Sequence, residues 1–171
     1  MNTSLTINQS ASSRYKVAEM LIELLKIYLV IVPLQVLFKR RLKKSRTLLE
    51  KCSENTIGSD ILKMLKENNL DVIPFYEEHD LKHLVLNYGM TSEEEIKMQA
   101  FLFGNGDRSI SCLLFLFSGI IMPSAWSKFY KEYKRGKLSP DISNLKLEKC
   151  KNLSTANLKY KYQNHLYRNN N

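Results

Sequence analysis

Cysteine is too scarce and too badly spaced in this chain for any framework role. Cys52, Cys112 and Cys150 are odd in number, far apart and without a CxxC pair. That excludes a disulfide scaffold and a cysteine zinc module, and it favours a reducing compartment for most of the chain. Cys112, inside an apolar run, reads as a small apolar filler. Glycine is also thin. The string Gly104-Asn105-Gly106-Asp107 lacks the further glycines, the lysine and the preceding strand of a phosphate cradle, so it reads as a turn. Histidine occurs only at 79, 83 and 165. With so few bases and such scattered thiols, no Ser/His/Asp or Cys/His order can be assembled. Internal repeats and cofactor fingerprints are lacking too.

Two apolar segments are present, each followed at once by a cationic run. Ile27 to Phe38 leads into KRRLKKSR, and Ser109 to Ser127 leads into KFYKEYKRGK. Lys and Arg resist transfer across a bilayer, so a basic cluster abutting an apolar helix marks the cytoplasmic end of a span. The formal charge of +9 favours anionic partners, either lipid headgroups or nucleic acid. Position favours lipid. Six basic residues and no acid lie between Lys39 and Arg46, whereas Thr47 to Arg108 is net acidic, and after Lys128 the chain is again strongly basic.

Helical periodicity runs from Tyr15 to about Cys52, interrupted only by Pro33. Val17 to Phe38 is 22 residues, roughly 33 Å as a helix, which is enough to cross a hydrocarbon core. Glu19, Glu23 and Lys26 form a polar stripe on its first turns. That stripe must lie in the headgroup layer, face a partner helix, or mark a helix lying on the surface. No small-residue cleavage site follows, so the segment is expected to be an uncleaved anchor with its C-terminus in the cytoplasm. Ser109 to Ser127 offers 19 uncharged residues with Trp126 at its end. Its own charge bias also asks for an inside C-terminus, and two consecutive spans cannot both run that way. The resolution is a second segment that half-crosses or packs as a hairpin.

Between them, Ser59 is expected to cap a helix that ends at Asn68 or Asn69, and Pro74 confines DVIPFY to an edge strand or an irregular connection. Gly89 is the expected stop of the helix in EEHDLKHLVLNYG. Ser92 and Glu95 read as a capping box that opens the next helix. Within EEHDLKHLVLNYG, His79 and His83 stand at i and i+4 and so share a helix face. HDLKH approaches the two-histidine pattern of zinc proteases without matching it, because Asp80 stands in place of the glutamate. A third ligand is undefined among Glu94, Glu95 and His165. Read as surface residues of a charged helix, the two histidines are expected to be dispensable, with no metal, cofactor or catalytic residue assigned.

The expected fold is therefore mainly α, a membrane-anchored helical protein with one N-terminal transmembrane helix and a second apolar segment. Its parts are a polar tail (1–14), the anchor with its basic end (15–46), an acidic helical region (47–108), the second apolar segment (109–127) and a basic tail (128–171). Tyrosines interleave with lysines in that tail, whose distal half is expected to be disordered or weakly helical. Lys39, Arg40, Arg41, Lys43, Lys44, Lys128, Lys131, Lys134, Arg135 and Lys137 are the expected contacts to anionic lipid. The expected role is binding without catalysis at the inner (cytoplasmic) membrane, as an immunity or exclusion protein or an accessory subunit with a protein partner in the membrane. The alternatives are a soluble basic helical protein on nucleic acid or a membrane surface, and a membrane-tethered metallohydrolase.

Overall fold

The computed structural model describes residues 15–24 and 26–163. The polar tail 1–14, His165 and Tyr167 lie outside them. Among the described residues the chain is helical with no strand, and one isolated antiparallel bridge joins Thr56 to Ser154.

The first apolar segment is not one straight helix. A helix, α1 (15–24), is followed by a π-turn at Ile27–Ile31 and by α2 (Val32–Leu37). Pro33 has no N–H and its ring clashes with the carbonyl four residues back. The wider turn just before it relieves that crowding, with the Val32 N–H donating to the Ile27 carbonyl. Phe38 then leaves helical geometry at φ −116° and ψ 35°, and α3 (Lys39–Glu50) starts afresh. No single helix among the described residues is long and apolar enough to cross a membrane. The polar stripe of α1 faces a partner helix within the chain. Ser92 Oγ donates to Glu23 Oε1 at 2.7 Å, and Tyr15 donates to Glu93. Ala18 and Ile22, four residues apart, bury beside Ile96, Ala100 and Phe129.

The second apolar segment is also bent. It comprises α7 (Ile110–Ser118), two 3₁₀ turns at Gly119–Ile121 and Pro123–Ala125, and the start of α8 (Trp126–Leu138). The two arms, Ile110–Ile121 and Pro123–Leu138, meet at 109°, and together they have the length and composition of a broken span or a re-entrant loop. Trp126 donates its indole N–H to the Gly119 carbonyl at 2.9 Å, stapling the bend.

Residues 128–163, read from sequence as a tail, are folded. In α8, Gly136 lies directly on α6 (Ser92–Gly104): a Cβ there would sit 2.0 Å from the Phe101 carbonyl oxygen. Gly104 makes the reciprocal approach, its missing Cβ 2.1 Å from the Tyr133 carbonyl oxygen. Paired glycines let the two backbones touch where side chains would hold them apart. Further on, α9 (Leu147–Cys150) and α10 (Thr155–Gln163) close a core of Leu49, Ile57, Ile61, Leu81 and Val85.

Local expectations shift at three helix ends. For α4 (Ile57–Glu67) the cap is Thr56 and not Ser59, because the Ile57 and Gly58 N–H groups donate to the Leu153 and Lys151 carbonyls at 3.0 and 2.9 Å. The end at Asn68 is as expected. α5 (Glu77–Leu86) stops at Asn87, which takes the left-handed conformation (φ 62°) two residues before Gly89. α6 is capped by Thr91, whose side chain accepts from the Glu94 N–H, so Ser92 is not the cap. Glu95 does not reach back to a cap at all; its carboxylate is engaged elsewhere. Residues 70–76 make an irregular connection, the second of the options that Pro74 left open.

Candidate metal centre

α5 carries His79 and His83 one turn apart on a single face, and the loop at 87–91 returns the chain so that Glu95 of α6 meets both rings. His79 Nε2 lies 3.1 Å from Glu95 Oε2, His83 Nε2 lies 2.9 Å from the same oxygen, and the two Nε2 atoms are 3.1 Å apart. Thus Glu95 is the third group that the sequence left undefined. The histidines are not surface residues either: His83 is 1% exposed and His79 is partly buried.

Secondary contacts orient each donor. His83 Nδ1 is 3.4 Å from the Tyr88 carbonyl oxygen, which can only accept, so Nδ1 carries the proton and Nε2 is left to face Glu95. Glu95 Oε1 accepts from Gln99 Nε2 at 2.8 Å, which turns Oε2 toward the rings. Gln99 is itself buried, and its backbone carbonyl accepts from the Cys112 thiol at 3.4 Å. Cys112 is therefore a buried residue behind the site, and burial pushes its thiol up to about 12. Tyr76 packs edge-on to the His79 ring, with Phe115 stacked against it.

Charge in this cluster is strongly biased. Burial alone would favour a neutral Glu95, but His79 and His83 outweigh it and hold the carboxyl well below the usual carboxylate range. For His83, burial favours the neutral ring, while hydrogen bonding and attraction from Glu95, aided by Asp80, raise its pKa. Asp80 is buried beside them, and desolvation pushes it up to about 7 against the pull of His83.

Two imidazole nitrogens and one carboxylate oxygen within 4.8 Å of one another form a donor set for a divalent cation. Zinc binds such atoms at roughly 2.0–2.2 Å, and tetrahedral geometry then separates the donors by about 3.3 Å. The observed triangle is within a few tenths of an ångström of that. A zinc ion held by these three residues would keep a fourth position open, the pattern of catalytic rather than structural zinc. A cavity of about 50 Å³ adjoins the cluster, lined by Asp80 with the three donors, by Ile31 of the first apolar segment and by Phe115 of the second.

The cationic residues singled out from sequence divide sharply. Arg135 is no free cation: it pairs with Glu132 at 2.7 Å, donates to the Tyr88 hydroxyl and stacks over Tyr88 and Phe101. Lys128 pairs with Glu93 at 2.7 Å, and Arg41 lies over the Phe75 ring with Glu77 at 3.9 Å. Lys134 and Lys137 lie over the rings of Tyr130 and Tyr133. Lys39, Arg40, Lys43, Lys44 and Lys131 are exposed.

Comparison with protein-family models, curated proteins and solved structures returns no match to this chain.

Proposed function

We propose that this protein is a membrane-docked metalloprotein that holds one divalent transition-metal ion on His79, His83 and Glu95. The observation that carries the reading is the convergence of three donor atoms on a triangle of 2.9 to 3.1 Å, with His83 and Glu95 each held by a further hydrogen bond. Zinc suits the mixed nitrogen and oxygen set, and the open position would let it polarise an oxygen group or activate water. This favours the metal-dependent alternative over a role in binding alone, whose support is size and composition.

The membrane part of the proposal rests on what the two apolar segments leave uncovered. Val17, Leu21, Leu24, Tyr28 and Val36 of the first are exposed, as are Ile110, Leu114, Phe117 and Ile120 of the second. Apolar exposure on that scale marks a surface made to be covered. Bent and short elements suit a protein lying in the interface better than a spanning anchor, so inner-membrane localisation is proposed as docking. The cavity beside the donors, about 50 Å³ and lined by Lys26 and Asp71 as well as by Ile31 and Phe115, has room for water at the open position and for little more.

The test is elemental analysis of purified protein. Near-stoichiometric zinc, manganese or iron that disappears in the His79→Ala, His83→Ala double variant supports the proposal. A folded protein that takes up no divalent metal at micromolar free concentration overturns it.

A further inference from the structure

A face of α3 adjoining the one that meets Glu77 presents a second feature that the metal centre does not use, with Lys44 and Leu48 on the boundary between the two. Arg40, Lys43, Lys44, Thr47, Leu48 and Lys51 recur at intervals of three and four and so share one helical face, about 16 Å long. Across from it, Lys151 and Asn152 follow α9, and the two walls enclose an open cleft of about 710 Å³. No acidic residue lines it.

The cations of α3 are sorted by face. Arg46 pairs with Asp71, and Arg41 faces Glu77, which also accepts from Ser45 at 2.6 Å. On the cleft side, none of Arg40, Lys43, Lys44 and Lys51 has a carboxylate within salt-bridge distance among the described residues. Lys151 does pair, with the exposed Glu148 at 2.6 Å. Like charges gathered on one helix face repel one another, an arrangement that an anion would relieve. Lining drawn from two separate elements distinguishes the cleft from a basic run on one helix alone.

We infer that this cleft binds the phosphate of an anionic lipid headgroup. Phe38 directly precedes α3, so a first apolar segment seated in the acyl layer places the cleft at headgroup height, and in this the inference rests on the membrane docking proposed above. Arg40 supplies a planar fork for phosphate oxygens, Lys43, Lys44 and Lys51 supply point charges, and Leu48 supplies an apolar floor.

Vesicle flotation tests this with the full chain. The vesicles are phosphatidylcholine alone, or with about one-third phosphatidylglycerol, the anionic surface on which each basic contact counts. The triple variant Arg40→Gln, Lys43→Gln, Lys44→Gln is compared with Lys131→Gln, Lys134→Gln, Lys137→Gln, which removes the same charge from α8. The cleft triple should weaken binding to anionic vesicles by about tenfold or more, and the α8 triple by much less, with binding to neutral vesicles unchanged in both. Equal losses in the two triples would show a general charge effect and overturn the inference. So would displacement from anionic vesicles by millimolar inorganic phosphate, which would make free phosphate the ligand. Tighter capture of a single-stranded oligonucleotide than of anionic vesicles, lost in the cleft triple, would reassign the cleft to nucleic acid. Wild-type protein that floats with neither vesicle overturns the docking itself, whereas anionic binding retained by the cleft triple overturns only the headgroup site.

Discussion

Glu95 Oε2 lies 2.9 Å from His83 Nε2, and both side chains are almost wholly buried. A carboxylate oxygen and an imidazole nitrogen at that distance need a hydrogen or a metal ion between them, because each would otherwise present a lone pair to the other. His79 brings a second ring nitrogen to the same point. Burial magnifies the requirement, since water is not there to screen it.

Metal removal should therefore destabilise the protein. An ion that binds the folded form alone contributes RT ln(1 + [L]/Kd), about 2.7 kcal/mol at a free concentration one hundred times Kd. Chelation should lower the melting temperature, and zinc should restore it. Glu95→Gln should keep the shape of the site but lose the anionic donor, so its melting temperature should respond little to either treatment. A Glu95→Gln protein with wild-type zinc response would remove Glu95 from the ligand set.

Asp80 adjoins the cluster but is outside the set of donor atoms that lie within 4.8 Å of one another. Asp80→Asn is therefore expected to retain a full complement of metal, in contrast to Glu95→Gln. Its amide matches the carboxyl in size, so the fold should survive the exchange. Metal analysis of the two variants side by side checks this, and loss of the ion from both would make Asp80 a ligand.

Helices were legible in the sequence wherever an apolar period ran between polar breaks, as in α4, α5 and α6. What was not legible came from contacts distant in sequence. Ser92 and Glu95 carry the pattern of a capping box, yet Ser92 is drawn to Glu23 of α1 and Glu95 to two histidines, leaving Thr91 to cap. A local rule that fails at both of its positions marks a site where tertiary demands prevail. The spacing of His79 and His83 gave two of the three donors, but nothing in the period of α6 distinguished Glu95 from Glu94. The only signal was the short loop at 87–91, which obliges the next helix to begin beside the last. The basic tail misled for a related reason: its lysines are conspicuous, whereas the features that fold it, Gly136 against Phe101 and Leu158 in the core, are small or isolated in the sequence.

Gly136→Ala tests the fold of that C-terminal region. A methyl group placed 2.0 Å from the Phe101 carbonyl oxygen must push α8 away from α6. Overpacking of this kind typically costs about 1–3 kcal/mol, and because backbone rather than a flexible side chain blocks the methyl, the upper part of that range is expected. Chemical denaturation should show the loss, with Gly106→Ala as a contrast: a Cβ there meets nothing within 4 Å, and only its positive φ of 107° opposes the change. Equal stability of Gly136→Ala and wild type would deny the close packing of the two helices.

Docking through the second apolar segment predicts a separation between stability and membrane affinity. Phe117 and Ile120 are 65% and 59% exposed, so replacing both with serine removes apolar surface that the folded chain does not itself bury. Stability should change by no more than about 0.5 kcal/mol per site, as for exposed positions elsewhere. Full burial of such a side chain is worth about 1.5–3 kcal/mol. Roughly half of that for each residue, gained only at the bilayer, amounts to about 2 kcal/mol, or a loss of affinity of about thirtyfold for neutral vesicles. Flotation and thermal melting on the same preparation give the two readouts. Reduced flotation at unchanged melting temperature is the expected pair. Unchanged flotation with these exposed residues replaced would mean that a surface other than α7 meets the bilayer.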